Sequence, residues 1–249
     1  MSKVVFLTSD PGTQYIEDKE GLNSDNNFIE NLKKYWKDKA NVLLVSSDPF
    51  NDKMNKECSN FIKESFPLSG LAIENVDICD DSHRYLAKHL DNYDFILLAG
   101  GHVPTENKFF KEIELKKEIE KFDGIVLGIS AGTMNCASTV YAMPELEGES
   151  IDPEYKRYIS GLGLTDINII PHYQYLKGVT LDGSNMIDDI ACSDSMGKKF
   201  YGIVDGAYVM IENGEHTLYG EGYIIENGNI QKICSKGNTL NLCTMKGRL

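Results

Sequence analysis

Short, almost continuously apolar runs alternate with longer amphipathic stretches along residues 4–140. Continuous apolar runs are typical of strands covered on both faces, whereas apolar positions three or four residues apart are typical of helices. The strands predicted in this way are 4–8, 41–47, 71–78, 94–99 and 124–129. The helices predicted between them are 25–39, 53–65, 82–90 and 104–121, and a short helix starts at Ala131. This alternation predicts an α/β fold in which helices flank a doubly wound, mostly parallel sheet.

The pattern changes after residue 165, where several short strands follow one another with little helix between them. These predicted strands are 167–171, 201–204, 207–212, 216–219, 222–225 and 230–233. The dipeptides Asn213-Gly214 and Asn227-Gly228 are strong signals for tight hairpin turns. We therefore expect an antiparallel hairpin extension at the C-terminus. The chain has no long linker or repeat, so a single domain over residues 1–249 is predicted.

Charge and composition narrow the classes of partner. The chain has 38 acidic and 25 basic side chains, for a net charge of -13, and would repel the phosphates of nucleic acid or an anionic membrane. The first apolar run ends at Leu7, which is too short for a signal peptide, and no segment is long enough for a membrane span. We expect a cytoplasmic protein with no nucleic-acid or membrane partner. A homodimer is compatible with the sequence.

The six cysteines show no metal-binding or redox spacing. They are Cys58, Cys79, Cys136, Cys192, Cys234 and Cys243, with no CxxC pair and no His/Cys ligand pattern among them. In a protein without an export signal, such cysteines are expected to be reduced and mostly packed. Neither a metal nor another cofactor is predicted.

Candidate chemistry centres on Gly128-Ile129-Ser130-Ala131-Gly132, where a buried strand is predicted to meet a helix. A GxSxG turn of this kind places its serine at a strained position on the carboxyl edge of the sheet, because glycines on both sides remove colliding side chains. The N–H of Ala131, at the helix start, is a candidate oxyanion donor. The alternative is a glycine-rich turn with an incidental serine. The strand before Ser130 and the small residues after it favour a nucleophile.

A second glycine turn, Gly100-Gly101-His102, ends the preceding predicted strand. In a parallel sheet this turn is expected to lie beside Ser130, where bare backbone can approach a substrate carbonyl and offer another N–H. Together with the serine turn, it favours an oxyanion site. His102 is predicted to lie near the site and to touch substrate.

A serine nucleophile needs a base and a carboxylate that orients the base. Of five histidines, His172 is favoured because it follows a predicted strand and the rigid Pro171. Three carboxylates are candidates for the orienting acid: Asp205, which ends an apolar strand, Glu145 and Asp166. Spacing alone does not choose among them.

These stretches resemble the aspartyl dipeptidase (peptidase E) and cyanophycinase family of serine peptidases, whose core is similar to class I glutamine amidotransferase-like domains. The matching stretches are 97–101, 128–132, 170–173 and 202–206. The resemblance implies Ser130 as nucleophile and His172 as base, with oxyanion N–H groups from Gly100-Gly101 and Ala131. It also implies an orienting acid near Asp205, where the family has Glu, or an acid beyond the nucleophile, for which Glu145 is the second choice.

The chain departs from this family in two places. The family's glycine loop continues with Asn and Thr, whereas here it continues with His102-Val103-Pro104. The peptidase E branch holds an acidic substrate side chain with a basic residue beyond the histidine, but residues 182–189 contain no Arg. Lys177 is the remaining cation nearby and is expected to be a solvated loop residue. A preference for an acidic N-terminal residue would lack the family's basic partner here, whereas amide hydrolysis does not depend on that residue.

The favoured function is that of a serine-type peptidase, similar to dipeptidase E, that hydrolyses small peptides through a Ser-His-acid triad and an acyl-enzyme. One alternative is a catalytically silent sensor or binding module on the same fold. Another is an esterase with the α/β-hydrolase fold, which also contains GxSxG. In that fold the acid lies between Ser and His in the sequence, whereas Asp205 follows His172.

Overall fold

The computed structural model describes residues 3–16 and 19–242. Its strands, in chain order, are β1 (Val4–Thr8), β2 (Thr13–Ile16), β3 (Lys19–Leu22), β4 (Ala40–Val45), β5 (Ile73–Cys79), β6 (Phe95–Leu98), β7 (Ile125–Ile129), β8 (Thr139–Tyr141), β9 (Tyr158–Ser160), β10 (Asn168–Ile170), β11 (Thr180–Leu181), β12 (Ser184–Asn185), β13 (Lys199–Ile203), β14 (Tyr208–Glu212), β15 (Glu215–Tyr219), β16 (Gly222–Glu226), β17 (Asn229–Cys234) and β18 (Thr239–Asn241).

The helices are mostly short. They are α1 (Phe28–Lys33), α2 (Asp52–Leu68), α3 (Val103–Glu112), α4 (Leu115–Ile119), α5 (Ala131–Asn135), α6 (Tyr173–Leu176) and α7 (Cys192–Asp194). Three 3₁₀ segments and one π-helical segment complete the set: Asp25–Asn27, Arg84–Lys88, Leu90–Asn92 and Met186–Ala191. No helix within residues 3–16 and 19–242 is long and apolar enough to cross a membrane.

A sheet of eight strands in the described ranges, ordered β18-β15-β14-β1-β7-β6-β4-β5, forms the centre of the fold. The five strands from β1 to β5 in that order pair in parallel, and β14, β15 and β18 extend the sheet in antiparallel fashion. Along β1, Val5 and Leu7 enter one hydrophobic cluster while Val4 and Phe6 enter the other. Both faces are therefore covered, as the continuous apolar runs indicated, and the predicted mostly parallel α/β fold is confirmed.

The predicted C-terminal extension divides between two sheets. Strands β14, β15 and β18 join the central sheet, while β13, β16 and β17 form a second sheet with β10. Both predicted hairpin turns are confirmed: Asn213 and Gly214 have φ of 51° and 80°, and Asn227 and Gly228 have φ of 50° and 75°. Positive φ at both central positions matches the right-handed twist of the flanking strands.

Three predicted helices are shorter or differently built. The predicted helix 104–121 is two helices, α3 and α4, because Glu114 between them takes a left-handed φ of 55°. The predicted helix 25–39 reduces to α1. Beyond the end of α1, the indole N–H of Trp36 donates to the carbonyl of Ala72, which precedes β5, at 2.8 Å. The predicted helix 82–90 consists of 3₁₀ segments. Its first turn is held by the carboxylate of Asp80, which accepts from two backbone N–H groups.

The described cysteines are free thiols. Cys79, Cys136, Cys192 and Cys234 are buried and Cys58 is half-buried, in line with the prediction of packed thiols, while Cys243 lies outside the described residues.

Close packing around two glycines fixes the connection between β7 and α5. A Cβ atom on Gly128 would lie 2.7 Å from the backbone N of Thr133, and one on Gly132 would lie 2.4 Å from the carbonyl O of Leu98 in β6. Gly132 also donates its N–H to the carbonyl of Ala99 at 3.1 Å. Helix α5 can therefore lie directly against two strands only because both positions lack a side chain.

We expect Gly132→Ala to destabilise the protein, because the backbone of β6 cannot yield to the added methyl group. The expected loss is about 1–3 kcal/mol of the free energy of unfolding. Urea denaturation measures it. Gly178→Ala is the matched control, since its Cβ would meet nothing closer than the Tyr175 carbonyl at 3.6 Å. Equal stability of the two variants would contradict this account of the packing.

Candidate active site

Ser130 occupies a strained turn between β7 and α5. Its backbone has φ of 52° and ψ of −111°, a conformation that costs a non-glycine residue about 1–3 kcal/mol. The surrounding backbone holds it there: the Ser130 N–H lies 3.1 Å from the carbonyl of Thr8 and 3.0 Å from that of Ser9, and its carbonyl accepts from Met134 at 3.1 Å. The turn therefore presents Ser130 at the carboxyl end of β7, where open α/β sheets place their ligands.

His172 and Asp205 come from the second sheet. They lie two residues beyond the ends of β10 and β13, which are parallel neighbours, so both side chains emerge at the same edge. His172 Nε2 is 3.0 Å from Ser130 Oγ, and His172 Nδ1 is 2.7 Å from Asp205 Oδ1. The serine of one sheet is thus joined to the histidine and carboxylate of the other.

Two further residues hold Asp205 in place. The hydroxyl of buried Ser9 donates to Asp205 Oδ1 at 2.6 Å and accepts the backbone N–H of His172 at 2.6 Å. The Gln174 amide donates to Asp205 Oδ2 at 2.6 Å and accepts the Asp205 N–H at 3.1 Å. Neither Ser9 nor Gln174 is among the candidates predicted from the sequence. Ser9 follows β1, the parallel neighbour of β7, so only knowledge of the strand order places it beside Ser130.

The hydrogen bonds and charges among these residues make His172 a stronger base. Burial alone would raise the pKa of Asp205, but hydrogen bonds from His172, Ser9 and Gln174 outweigh it and lower that pKa. The hydrogen bond to Asp205 raises the pKa of His172, against the opposing effect of burial. An ionised carboxylate only accepts hydrogen bonds, so Nδ1 of His172 carries the proton. Nε2 is then the acceptor that faces the Ser130 hydroxyl.

The glycine loop after β6 lies against the serine turn, since β6 and β7 are parallel neighbours. A Cβ on Gly100 would lie 3.2 Å from Ser130 Cβ, and the Gly100 carbonyl accepts from Ser47 at 2.7 Å. Among the hydrogen bonds of residues 3–16 and 19–242, none uses the N–H of Gly100, Gly101 or Ala131. These three donors remain available to a ligand beside Ser130.

Within the described residues, the hydrogen bonds of His102 go to a loop and to its own helix rather than to Ser130 or His172. Its Nε2 is 2.9 Å from Glu149 Oε1, and its Nδ1 is 2.8 Å from Thr105 Oγ1. The other oxygen of Glu149 accepts the N–H groups of Glu145 and Leu146 at 2.9 and 3.0 Å. Through Glu149, His102 therefore holds in place the loop that follows β8.

The two other acids considered for the histidine differ from Asp205 in their contacts. Within the described residues, no hydrogen bond joins His172 to Glu145 or Asp166, and Asp166 is exposed. Burial, reinforced by the charge of Glu149, raises the pKa of Glu145 to about 7, while His172 opposes the shift. Glu145 thus lies close enough to His172 to interact electrostatically. In the same ranges no group of three or more His, Cys, Asp or Glu side chains is arranged to hold a metal ion.

Residues 18–219 match the model of peptidase family S51. The chain belongs to this family. It is a serine-type peptidase, which confirms the resemblance drawn from the GxSxG and Pro-His stretches. No curated protein sequence matches the chain significantly.

Two solved structures show the same fold. One is a peptidase from an acI-B1 actinobacterium, 15% identical, with a TM-score of 0.64 over 97% of this chain and 98% of that one. The other is a putative peptidase E protein from Listeria monocytogenes EGD-e, 16% identical, with a TM-score of 0.55 over 94% of this chain and 100% of that one. At such identities the likeness concerns the fold alone.

We expect Ser9→Ala to slow the reaction of Ser130 with a fluorophosphonate. The substitution removes a donor to Asp205 and leaves the His172 N–H without its acceptor, a cost of about 1–3 kcal/mol, which corresponds to roughly 5–150-fold in rate. Labelling kinetics by intact mass measure it. The matched control is Ser69→Ala, which removes another buried hydroxyl that accepts from the Leu22 N–H. Equal labelling rates for the two variants would contradict a positioning role for Ser9.

Proposed function

We propose that this S51 peptidase hydrolyses small peptides with Ser130 as nucleophile, His172 as general base and Asp205 as the carboxylate that orients His172. The observation that carries the proposal is the unbroken line of contacts, 3.0 Å from Ser130 Oγ to His172 Nε2 and 2.7 Å from His172 Nδ1 to Asp205 Oδ1. A nucleophile bonded to a base, which is in turn bonded to an orienting acid, is the arrangement that activates a serine.

The reaction runs through an acyl-enzyme. Ser130 Oγ attacks the peptide carbonyl carbon while His172 Nε2 takes its proton. The N–H groups of Gly101 and Ala131 stabilise the resulting oxyanion. His172 then gives the proton to the leaving amine as the C–N bond breaks. A water molecule, deprotonated by His172, attacks the acyl-enzyme, releases the acid product and restores Ser130.

The proposed substrates are small peptides, like those of dipeptidases, without a preference for an acidic first residue. The charges that act on His172 from around the site are the carboxylates of Asp10, Glu145 and Asp205. Lys177, the cation considered from the sequence, is exposed on the loop after α6. An acidic substrate side chain would therefore meet like charges.

Hydrolysis of a dipeptide pool tests the proposal. Mass spectrometry of the pool after incubation is expected to show loss of a subset of dipeptides with the wild type, and none with Ser130→Ala. His172→Ala is expected to retain only a small residual rate, because removing one member of a triad costs about 10⁴-fold or more. Hydrolysis that persists in purified Ser130→Ala would contradict the assignment of Ser130 as the nucleophile.

A second test concerns pH. With its pKa raised by Asp205, His172 becomes protonated as the pH falls through that pKa, and kcat/KM falls with it. Asp205→Asn removes the charge that raises the pKa, so the acid limb is expected to move to lower pH. The maximum rate is expected to drop by about 10⁴-fold through loss of the correct tautomer. Glu145→Gln is the comparison variant: if it, rather than Asp205→Asn, gave this rate loss, Glu145 would be the orienting acid.

A further inference from the structure

Helices α3 and α5 continue the chain from the two loops that would supply the oxyanion donors. Helix α3 begins at Val103, two residues after Gly101. Helix α5 begins at Ala131, directly after Ser130. Beyond the pairing of β6 with β7, the packing of α3 against α5 therefore sets the separation between the N–H groups of Gly101 and Ala131.

The side-chain amide of Asn135 joins these two helices. Asn135 is the last residue of α5 and is completely buried. Its Nδ2 donates to Glu106 Oε2 at 2.8 Å and to the Val103 carbonyl at 3.1 Å. Its Oδ1 accepts from the Asn107 amide at 2.9 Å. All three partners lie in the first half of α3, so both the donor and the acceptor of this amide connect α5 to the start of α3.

Glu106 is an acid without exposure to water. Its Oε2 accepts from Asn135, whereas its Oε1 has no hydrogen-bond partner among residues 3–16 and 19–242. Burial raises the pKa of Glu106 well above the usual range. An ionised carboxylate with one hydrogen bond would be far more costly in such a place than the neutral acid. The contribution of Glu106 is therefore the oxygen that accepts the Asn135 N–H rather than a charge.

We propose that Glu106 and Asn135 are positioning residues, whose contact holds the N–H of Gly101 where it meets the oxyanion formed at Ser130. This inference rests on the proposed function. Oxyanion donors act at about 2.7–3.1 Å from the oxygen that becomes charged, so a small shift of α3 relative to α5 takes one donor out of range. Both side chains are completely buried and act through the helices that carry them. Their contact therefore affects the transition state more than the binding of the peptide.

The kinetics of dipeptide hydrolysis test the inference, with thermal unfolding to show that each variant is folded at the assay temperature. Glu106→Ala and Asn135→Ala each remove the contact, and we expect kcat to fall by about 100-fold with KM close to that of the wild type. The double variant is expected to lose little more, because both substitutions remove the same contact. The matched control is Asn31→Ala, which removes a buried amide that donates to the Tyr208 hydroxyl at 2.6 Å. Asn31 lies in α1, on the opposite face of the central sheet, and this variant is expected to keep the wild-type kcat.

Two further variants of Glu106 separate positioning from a loss of stability. Glu106→Gln keeps an oxygen that accepts the Asn135 N–H and is expected to retain the wild-type kcat. Glu106→Met fills the same space without an acceptor, and is expected to lose kcat even if Glu106→Ala does not fold. A wild-type kcat in folded Glu106→Met, an equal loss of kcat in Asn31→Ala, or a Glu106→Gln variant as slow as Glu106→Met would overturn the inference. Failure of the wild type to hydrolyse any dipeptide, or hydrolysis that persists in Ser130→Ala, would overturn the proposed function instead.

Discussion

The backbone at Ser130, held at φ of 52° and ψ of −111°, is the constraint on which the site depends. Such a conformation persists only where its surroundings leave no alternative. Here the neighbouring strand β1 fixes the Ser130 N–H, and the bare positions of Gly128 and Gly132 let α5 lie against β6 and β7 without side chains between them. The packing of the buried central sheet thus offsets the backbone strain at Ser130. The strained turn presents the Ser130 hydroxyl at the carboxyl edge of the sheet.

The second sheet supplies the histidine and the carboxylate that line up with Ser130. Because β10 and β13 run in parallel, the residues after them, His172 and Asp205, reach the same edge and meet Ser130 across the junction of the two sheets. Ser9, which follows β1, links the two sheets, since its hydroxyl donates to Asp205 and accepts the backbone N–H of His172. Stability and chemistry are linked here, because the hydrogen bonds that dock the second sheet also lower the pKa of Asp205 and raise that of His172.

Acidic groups dominate the charge around His172. Acidic groups, including Asp10 and Glu145, lie close enough to act on His172, whereas His102 is engaged by Glu149. The overall excess of acidic residues in the sequence indicates the same repulsion of anions.

Local patterns in the sequence predicted the parallel strands, the hairpin turns at Asn213 and Asn227, and Ser130 and His172 as candidate residues. Each of these features is determined by residues close together in the sequence, through apolar runs or turn chemistry. The features that were not predicted depend on contacts between residues far apart in the sequence. The left-handed residue Glu114 that breaks a helix carries no local turn signal. Spacing could not choose among Asp205, Glu145 and Asp166, because the contact between Asp205 and His172 follows from the pairing of β10 with β13. Ser9 was missed for the same reason.

The central claim is that the fold activates Ser130, and intact-protein mass spectrometry after incubation with a fluorophosphonate tests it most directly. The account predicts one adduct per wild-type chain, localised to Ser130 by peptide mapping, and none on folded Ser130→Ala. An unmodified wild-type protein, or an adduct that persists in Ser130→Ala, would contradict it.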